Sequence, residues 1–172
     1  MASTNRILIF TGNDFEDLEL TYPRLRMMEA GYEVILGAQE KDKTYTSKHG
    51  YPVKSNAALN DLEESDFDGL IVPGGWMPDK LRRDPKVLSL TKAFAEKNKP
   101  IASICHGPWI DISAGIVKGV KYTSTPGIKD DLTNAGAIWS DAPVVVDGKR
   151  VSSRKPDDLP EFCKAFLKAL GK

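Results

Sequence analysis

The stretch ASICHGPW (102–109) sets a thiol, Cys105, beside an imidazole, His106, and follows them with Gly107 and Pro108. A thiolate attacks electrophilic carbon, and an imidazole moves protons near neutral pH. Ser103 two residues before and Gly107 two residues after are small enough for a sharp strand-to-helix turn that would push a nucleophile outward. The glycine usual at the earlier position of such an elbow is Ser here. Backbone N–H groups at the start of a following helix would favour the thiolate. The alternative is an inert cysteine filling the core, the commonest state of a free thiol. On this stretch alone both readings stand. Cys163 is different: with Phe162, Phe166 and Leu167 around it on a helical pattern, it reads as core. Side chains of adjacent residues on a turn diverge, so His106 needs a carboxylate to orient it. Asp79, in GGWMPDKLRR, is the nearest candidate in kind, and it also suits a helix N-cap.

Two other stretches offer groups that such a thiolate would need. Gly74 and Gly75 close FDGLIVPGG (67–75); without side chains their N–H groups can approach a reacting oxygen, although a plain tight turn explains them equally. TGNDFED (11–17) holds three carboxylates, which would repel a phosphate and argue against a flavin mononucleotide loop. Glu16 is read as a carboxyl aimed into the site from the end of the first strand; its alternative is an ordinary acid at a helix N-terminus.

The elements that must position these residues alternate. RILIFTG (6–12), EVILGA (33–38), FDGLIVPGG and PIASIC (100–105) are buried-strand patterns, and helical patterns at 18–32, 84–99 and 107–119 fall between and after them. Pro23 fits a first helical turn, so the helix after the first strand is expected to start near Leu20. YTSKHGYPVKSN (45–56) reads as a hairpin turning at His49-Gly50. PVVVDGKRVSS (143–153) reads as a second hairpin turning at Asp147-Gly148. PDDLPEFCKAFLKALG (156–171) closes as an amphipathic helix. The pattern predicts one α/β domain over 1–172, a mainly parallel sheet with helices on both faces, with sites at the carboxyl ends of strands.

The 24 basic residues balance the 24 acidic ones, which leaves no field for nucleic acid or an anionic membrane. With no signal-like N-terminus and no long apolar run, a cytoplasmic protein is expected. Two distant cysteines without CxxC spacing argue against a disulfide framework or a zinc site.

FEDLEL (15–20), KHGYPVK (48–54), FDGLIVPGG, PIASICHGP (100–108), PGIKDDLTNAGA (126–137) and VSSRKPDDLP (151–160), in that order, resemble the ThiJ/PfpI superfamily and most closely its PfpI-like branch. The resemblance implies a flavodoxin-like three-layer sandwich and a cofactor-free, metal-free cysteine enzyme with Cys105 as nucleophile and His106 beside it. It implies that Glu16 touches the nucleophile and that Asp79 completes the triad from a neighbouring subunit of a homodimer or larger homo-oligomer. Gly75 and His106 would supply the oxyanion N–H groups, with Gly74 and Gly107 beside them. Trp76 and Trp109 depart from commoner residues near the pocket. The expected chemistry is attack on the carbonyl carbon of a small 2-oxoaldehyde or of a modified protein or peptide, as in glyoxalases and deglycases. The alternatives are an intracellular cysteine peptidase and, from another class, a redox-sensing or chaperone-like stress protein without turnover.

Overall fold

Isoleucine, leucine and valine dominate the central strands β1, β6 and β7, with Ser103 as a buried polar exception, and the structure buries those strands on both faces. The computed structural model describes residues 4–172. In chain order the elements are β1 (Arg6–Phe10), α1 (Asp17–Glu29), β2 (Glu33–Ala38), β3 (Thr44–Thr46), β4 (Pro52–Lys54), β5 (Ala57–Ala58), β6 (Gly69–Val72), α2 (Met77–Leu81) and α3 (Pro85–Glu96). They continue as β7 (Ile101–Ile104), α4 (Pro108–Ser113), β8 (Lys121–Tyr122), α5 (Lys129–Asn134), β9 (Ile138–Trp139), β10 (Val144–Asp147), β11 (Arg150–Ser153) and α6 (Leu159–Leu170).

The main sheet has the order β10-β11-β7-β6-β1-β2-β5 and is parallel except for the β10–β11 hairpin. The hairpin turns at Asp147-Gly148 as the sequence suggests; β3 and β4 pair antiparallel around the 47–51 turn. Helices α1 and α6 pack together on one face, while α3 lies on β6 and β7 with α4 beside it. This is the mainly parallel sheet with helices on both faces that the alternation predicts, in the flavodoxin-like three-layer form that the resemblance implies.

From β1 the chain steps outward to β2 on one side, then crosses back to place β6 on the other. The order of strands therefore reverses at β1, and the carboxyl ends of β1 and β6 mark the switch point where open α/β sheets hold ligands. The loop carrying Cys105 leaves β7, parallel to β6, at the same end of the sheet.

Helix α1 departs from expectation. It begins at Asp17, three residues earlier than Leu20, and Pro23 lies inside it rather than in its first turn. The Glu16 carboxylate accepts the Glu19 N–H at 2.9 Å and so fixes the early start. Pro23 lacks the N–H that would bond the Glu19 carbonyl; burial of Leu20, Pro23 and Met27 against the sheet offsets that loss. The early start puts Glu19 in the first turn, facing the core.

The turn after β7 depends on Gly107. A Cβ there would stand 2.4 Å from the Val72 carbonyl oxygen and 2.9 Å from that of Ile104. Gly107→Ala is expected to cost about 1–3 kcal/mol of stability in urea unfolding. Gly127→Ala, whose Cβ would meet nothing within 4 Å, should be near neutral. Equal effects of the two would show that the elbow tolerates widening.

Candidate active site

Three loops meet at the switch point, and backbone hydrogen bonds lock them together. Cys105 adopts φ +62, a left-handed conformation that L side chains rarely take and that costs on the order of 1–3 kcal/mol. The surroundings hold it there. Gly107 N–H closes the turn onto the Ile104 carbonyl at 2.8 Å, Cys105 N–H donates to Ser153 at 3.1 Å, and Thr125 N–H donates to the Cys105 carbonyl at 3.2 Å. The loops after β1 and β6 are joined as well: Glu16 N–H donates to Gly74, Trp76 N–H donates to Asp14, and Phe15 bridges Gly75. Gly75 has φ +80, and a Cβ on it would sit 2.3 Å from the Asp14 carbonyl oxygen. Only glycine permits that approach.

The carboxyl that meets Cys105 belongs to Glu19. Glu16, expected there from the sequence, is instead the N-cap of α1, and its carboxylate is spent on the Glu19 N–H and on Lys48, 3.9 Å away. Glu19 is fully buried; its Oε2 accepts the Gly74 N–H at 2.8 Å, and its carboxyl faces the Cys105 thiol. A Cβ on Gly74 would collide with that oxygen at 2.5 Å and with Cys105 Cβ at 2.8 Å, so Gly74 is the space that lets the two side chains meet. Burial, reinforced by the charge of Glu16, pushes the Glu19 carboxyl up to about 8. At neutral pH it keeps its proton.

Burial, and then the charge Glu19 carries when ionised, push the Cys105 thiol up to about 12, while the N–H groups of Gly75 and His106 draw it down. Thiol and carboxyl form one coupled acid. As long as Glu19 holds its proton the repulsion is absent, and the neutral carboxyl can donate to sulfur. The same two N–H groups, Gly75 and His106, lie where a nearby oxyanion would find donors.

His106 Nδ1 stands 3.2 Å from Cys105 Sγ. Burial, and then the charge of Lys48, push the imidazole pKa down, which keeps it neutral and able to accept a proton. The ring is flanked by Trp109 (centroids 4.9 Å apart) and Trp76 (5.3 Å). Trp109 is fixed by a 2.7 Å hydrogen bond from Nε1 to Asp131, whereas Trp76 is 59% exposed at the mouth. Asp79 lies on α2, and within its own chain its carboxylate pairs with Arg83 at 2.5 Å rather than with His106.

Glu16, Asp17 and His49 bring possible metal-ligand atoms within 4.8 Å of one another. These donors already serve one another and the hairpin. Asp17 accepts from Ser47 at 2.6 Å and meets His49 Nδ1 at 2.9 Å, which ties the β3–β4 turn over the site. The helix N-terminus and the Lys48 ammonium both disfavour a cation there.

Cys163 is 1% exposed inside the core, as its sequence setting indicates. Sequence reasoning missed Glu19 and Lys48. A signal for Glu19 was present: with Glu16 as N-cap, Glu19 is the third helical residue, where an acid ordinarily turns back to the cap N–H. Here it turns inward to Gly74 instead.

Two expectations follow from this geometry. Iodoacetamide should label Cys105 in the folded protein and leave Cys163 largely unmodified; comparable labelling would contradict the burial of Cys163. Thiolate absorbance against pH should then separate the two carboxyls. Glu19→Leu and Glu19→Gln both remove the charge that Glu19 carries above about 8, so both should lower the Cys105 titration, Gln further than Leu because its amide can donate to the thiolate. Glu16→Gln should act weakly, through helix capping and through a lower Glu19 pKa. A larger shift from Glu16→Gln than from Glu19→Leu would return the role to Glu16. Stability carries a matching sign. Glu19 has a folded pKa above its unfolded value, so wild type loses stability relative to Glu19→Gln as pH rises from about 4.5 to about 8.

Comparison with known proteins agrees with the arrangement. Residues 5–169 match the DJ-1/PfpI family. A deglycase of Pyrococcus horikoshii is 48% identical over 165 residues, covering 96% of this chain and 99% of its own. The deglycase PfpI of Pyrococcus furiosus is 46% identical over the same shares. Among solved structures, a two-domain protein from Anabaena variabilis with DJ-1/ThiJ/PfpI-like and ferritin-like domains superposes with a TM-score of 0.94 at 33% identity; the match covers 96% of this chain and 50% of that one. With its elbow cysteine, the histidine beside it and a family match across nearly its full length, this chain belongs to the DJ-1/PfpI family.

Proposed function

We propose that the protein is a cysteine-dependent enzyme acting on the carbonyl carbon of 2-oxoaldehydes and of the adducts they form on proteins. The observation that carries this reading is the setting of one sulfur: Cys105 Sγ lies 3.2 Å from His106 Nδ1, against the Glu19 carboxyl and the N–H groups of Gly75 and His106. The printed names of the Pyrococcus relatives support it.

The chemistry balances without an added redox partner. Cys105 sulfur bonds to the aldehyde carbon, and the carbonyl oxygen becomes an alkoxide held by the Gly75 and His106 N–H groups. With a free 2-oxoaldehyde, a base takes the proton from that carbon and a proton returns at the neighbouring carbon. The product is a thioester of a 2-hydroxy acid. Water then attacks the thioester carbonyl, the C–S bond breaks, and the hydroxy acid leaves with the thiol restored. With an adduct, the amine or thiol of the modified residue is the first leaving group and takes up a proton. His106, neutral and in contact with sulfur, is the group suited to these transfers.

Asp79 has a place in this scheme only from a second copy of the chain, since its own α2 turns it to Arg83. A partner's Asp79 arriving over the exposed Trp76 would orient His106 and complete the site.

Methylglyoxal should yield lactate without glutathione, and Cys105→Ser should lose on the order of 10³-fold or more of that rate. Peptide amide cleavage outpacing this turnover, or an active Cys105→Ser, would overturn the reading. Mixing inactive Cys105→Ala and Asp79→Ala subunits should restore part of the activity through hybrid sites. Confirmed subunit exchange without rescue would confine Asp79 to its own chain.

A further inference from the structure

A second buried acid, on the helix that follows the nucleophile, has no part in the proposed reaction. Asp111 on α4 has no exposed surface, six residues after Cys105 in a helix whose other inward residues, Pro108 and Ile110, are apolar. Its Oδ2 accepts a 3.3 Å hydrogen bond from the Tyr122 hydroxyl, itself fully buried. The hydroxyl of Ser103 on β7 lies beside the carboxyl, and the guanidinium charge of Arg150 on β11 acts on it. Asp111 Oδ1 has no hydrogen-bond partner, so the Tyr122 hydroxyl on Oδ2 and the Ser103 hydroxyl close by are the polar side chains that face this acid. Burial holds its pKa at about 6. A buried carboxyl costs stability to the extent that its hydrogen bonds are not made.

The contacts of Tyr122 indicate what it does. Tyr122 begins the segment 122–125. The next residue, Thr123, donates its N–H to Ser152 Oγ at 2.9 Å, and Thr125 N–H donates to the carbonyl of Cys105 at 3.2 Å. The contacts form a closed ring. From Cys105 the chain runs through α4 to Asp111, across the carboxyl–hydroxyl bond to Tyr122, along the segment to Thr125, and back to Cys105. Cys105 is the residue held at φ +62. We infer that Asp111 and Tyr122 are positioning residues for the nucleophile, fixing the distance between α4 and the 122–125 segment and so holding the strained Cys105 peptide in place.

The pair acts on the position of sulfur and of the His106 N–H, not on substrate binding. Tyr122→Phe removes one oxygen and keeps the ring that packs with Val117, Ile128 and Leu132. It should slow iodoacetamide alkylation of Cys105 about tenfold and lower kcat by a similar factor with KM little changed, as expected for a small misplacement of a reacting atom. Asp111→Leu should do the same. Asp111→Asn, whose amide oxygen still accepts from Tyr122, should retain most of the wild-type rate. The Tyr122→Phe/Asp111→Leu double variant should be no slower than the worse single one, because both remove one link.

Alkylation needs no substrate, so it reads the positioning even if turnover of 2-oxoaldehydes were absent. Variants that melt earlier yet alkylate and turn over as wild type would reduce the pair to packing and overturn the inference, as would Asp111→Asn behaving like Asp111→Leu. If Asp111→Leu does not fold, Tyr122→Phe against Asp111→Asn decides alone.

Discussion

The left-handed backbone at Cys105 is the constraint on which the rest of this molecule turns. A side chain there at φ +62 is unfavourable by itself, and it persists because groups distant in sequence close around it. Ser153 takes its N–H, Thr125 gives an N–H to its carbonyl, and Gly107 folds back to Ile104. Each of these needs an element in place. Ser153 requires β11 in register with β7, Thr125 requires the loop after β8, and Gly107, the N-cap of α4, requires a residue without a Cβ at that position. The gain is geometric: the turn lifts sulfur out of the strand and presents it to the His106 ring beside it and to two groups from other segments, the Glu19 carboxyl and the Gly75 N–H.

Those groups share one electrostatic problem. Sulfur is useful when charged, and it sits beside a carboxyl. The structure resolves this by burying Glu19 and placing the Glu16 charge close to it, which favours the proton on Glu19 at the pH where the thiol must act. Lys48 keeps the arrangement from going further. Its charge pulls Glu19 back toward ionisation and pushes His106 toward the neutral form. Hence the β3–β4 turn, strapped to α1 through Ser47 and His49, belongs to the electrostatics of the site.

The sheet was legible in the sequence because its central strands are mostly apolar and its hairpins carry Gly turns; β2 falls at the predicted 33–38 and the hairpin turn at 147–148. The elbow at Cys105 was legible too, from small residues flanking it. The choice between Glu16 and Glu19 was not. It depends on whether α1 starts at 17 or near 20, and Pro23 pointed the wrong way because tertiary packing outweighed its cost inside the helix. Lys48 and Asp111 were illegible for a different reason. Both reach the site through folding of distant segments, a hairpin tip in one case and Tyr122 in the other, and nothing local in the chain marks them.

The substitution of Ser for the expected glycine at 103 gains its meaning only from that last contact. Ser103 and Cys105 bracket the end of β7, and Ser103 is 1% exposed with its hydroxyl beside Asp111. A glycine there would leave room for the turn equally well and would leave the buried carboxyl one polar neighbour fewer. Conversely, an apolar residue at 111 would remove the need for a hydroxyl at 103. The two departures are therefore one: a polar cluster built behind a strained turn, where an apolar core would satisfy packing but would tie the helix, the 122–125 segment and the nucleophile together only through contacts without direction. Hydrogen bonds supply direction, and a nucleophile whose reach is set to a fraction of an ångström depends on it.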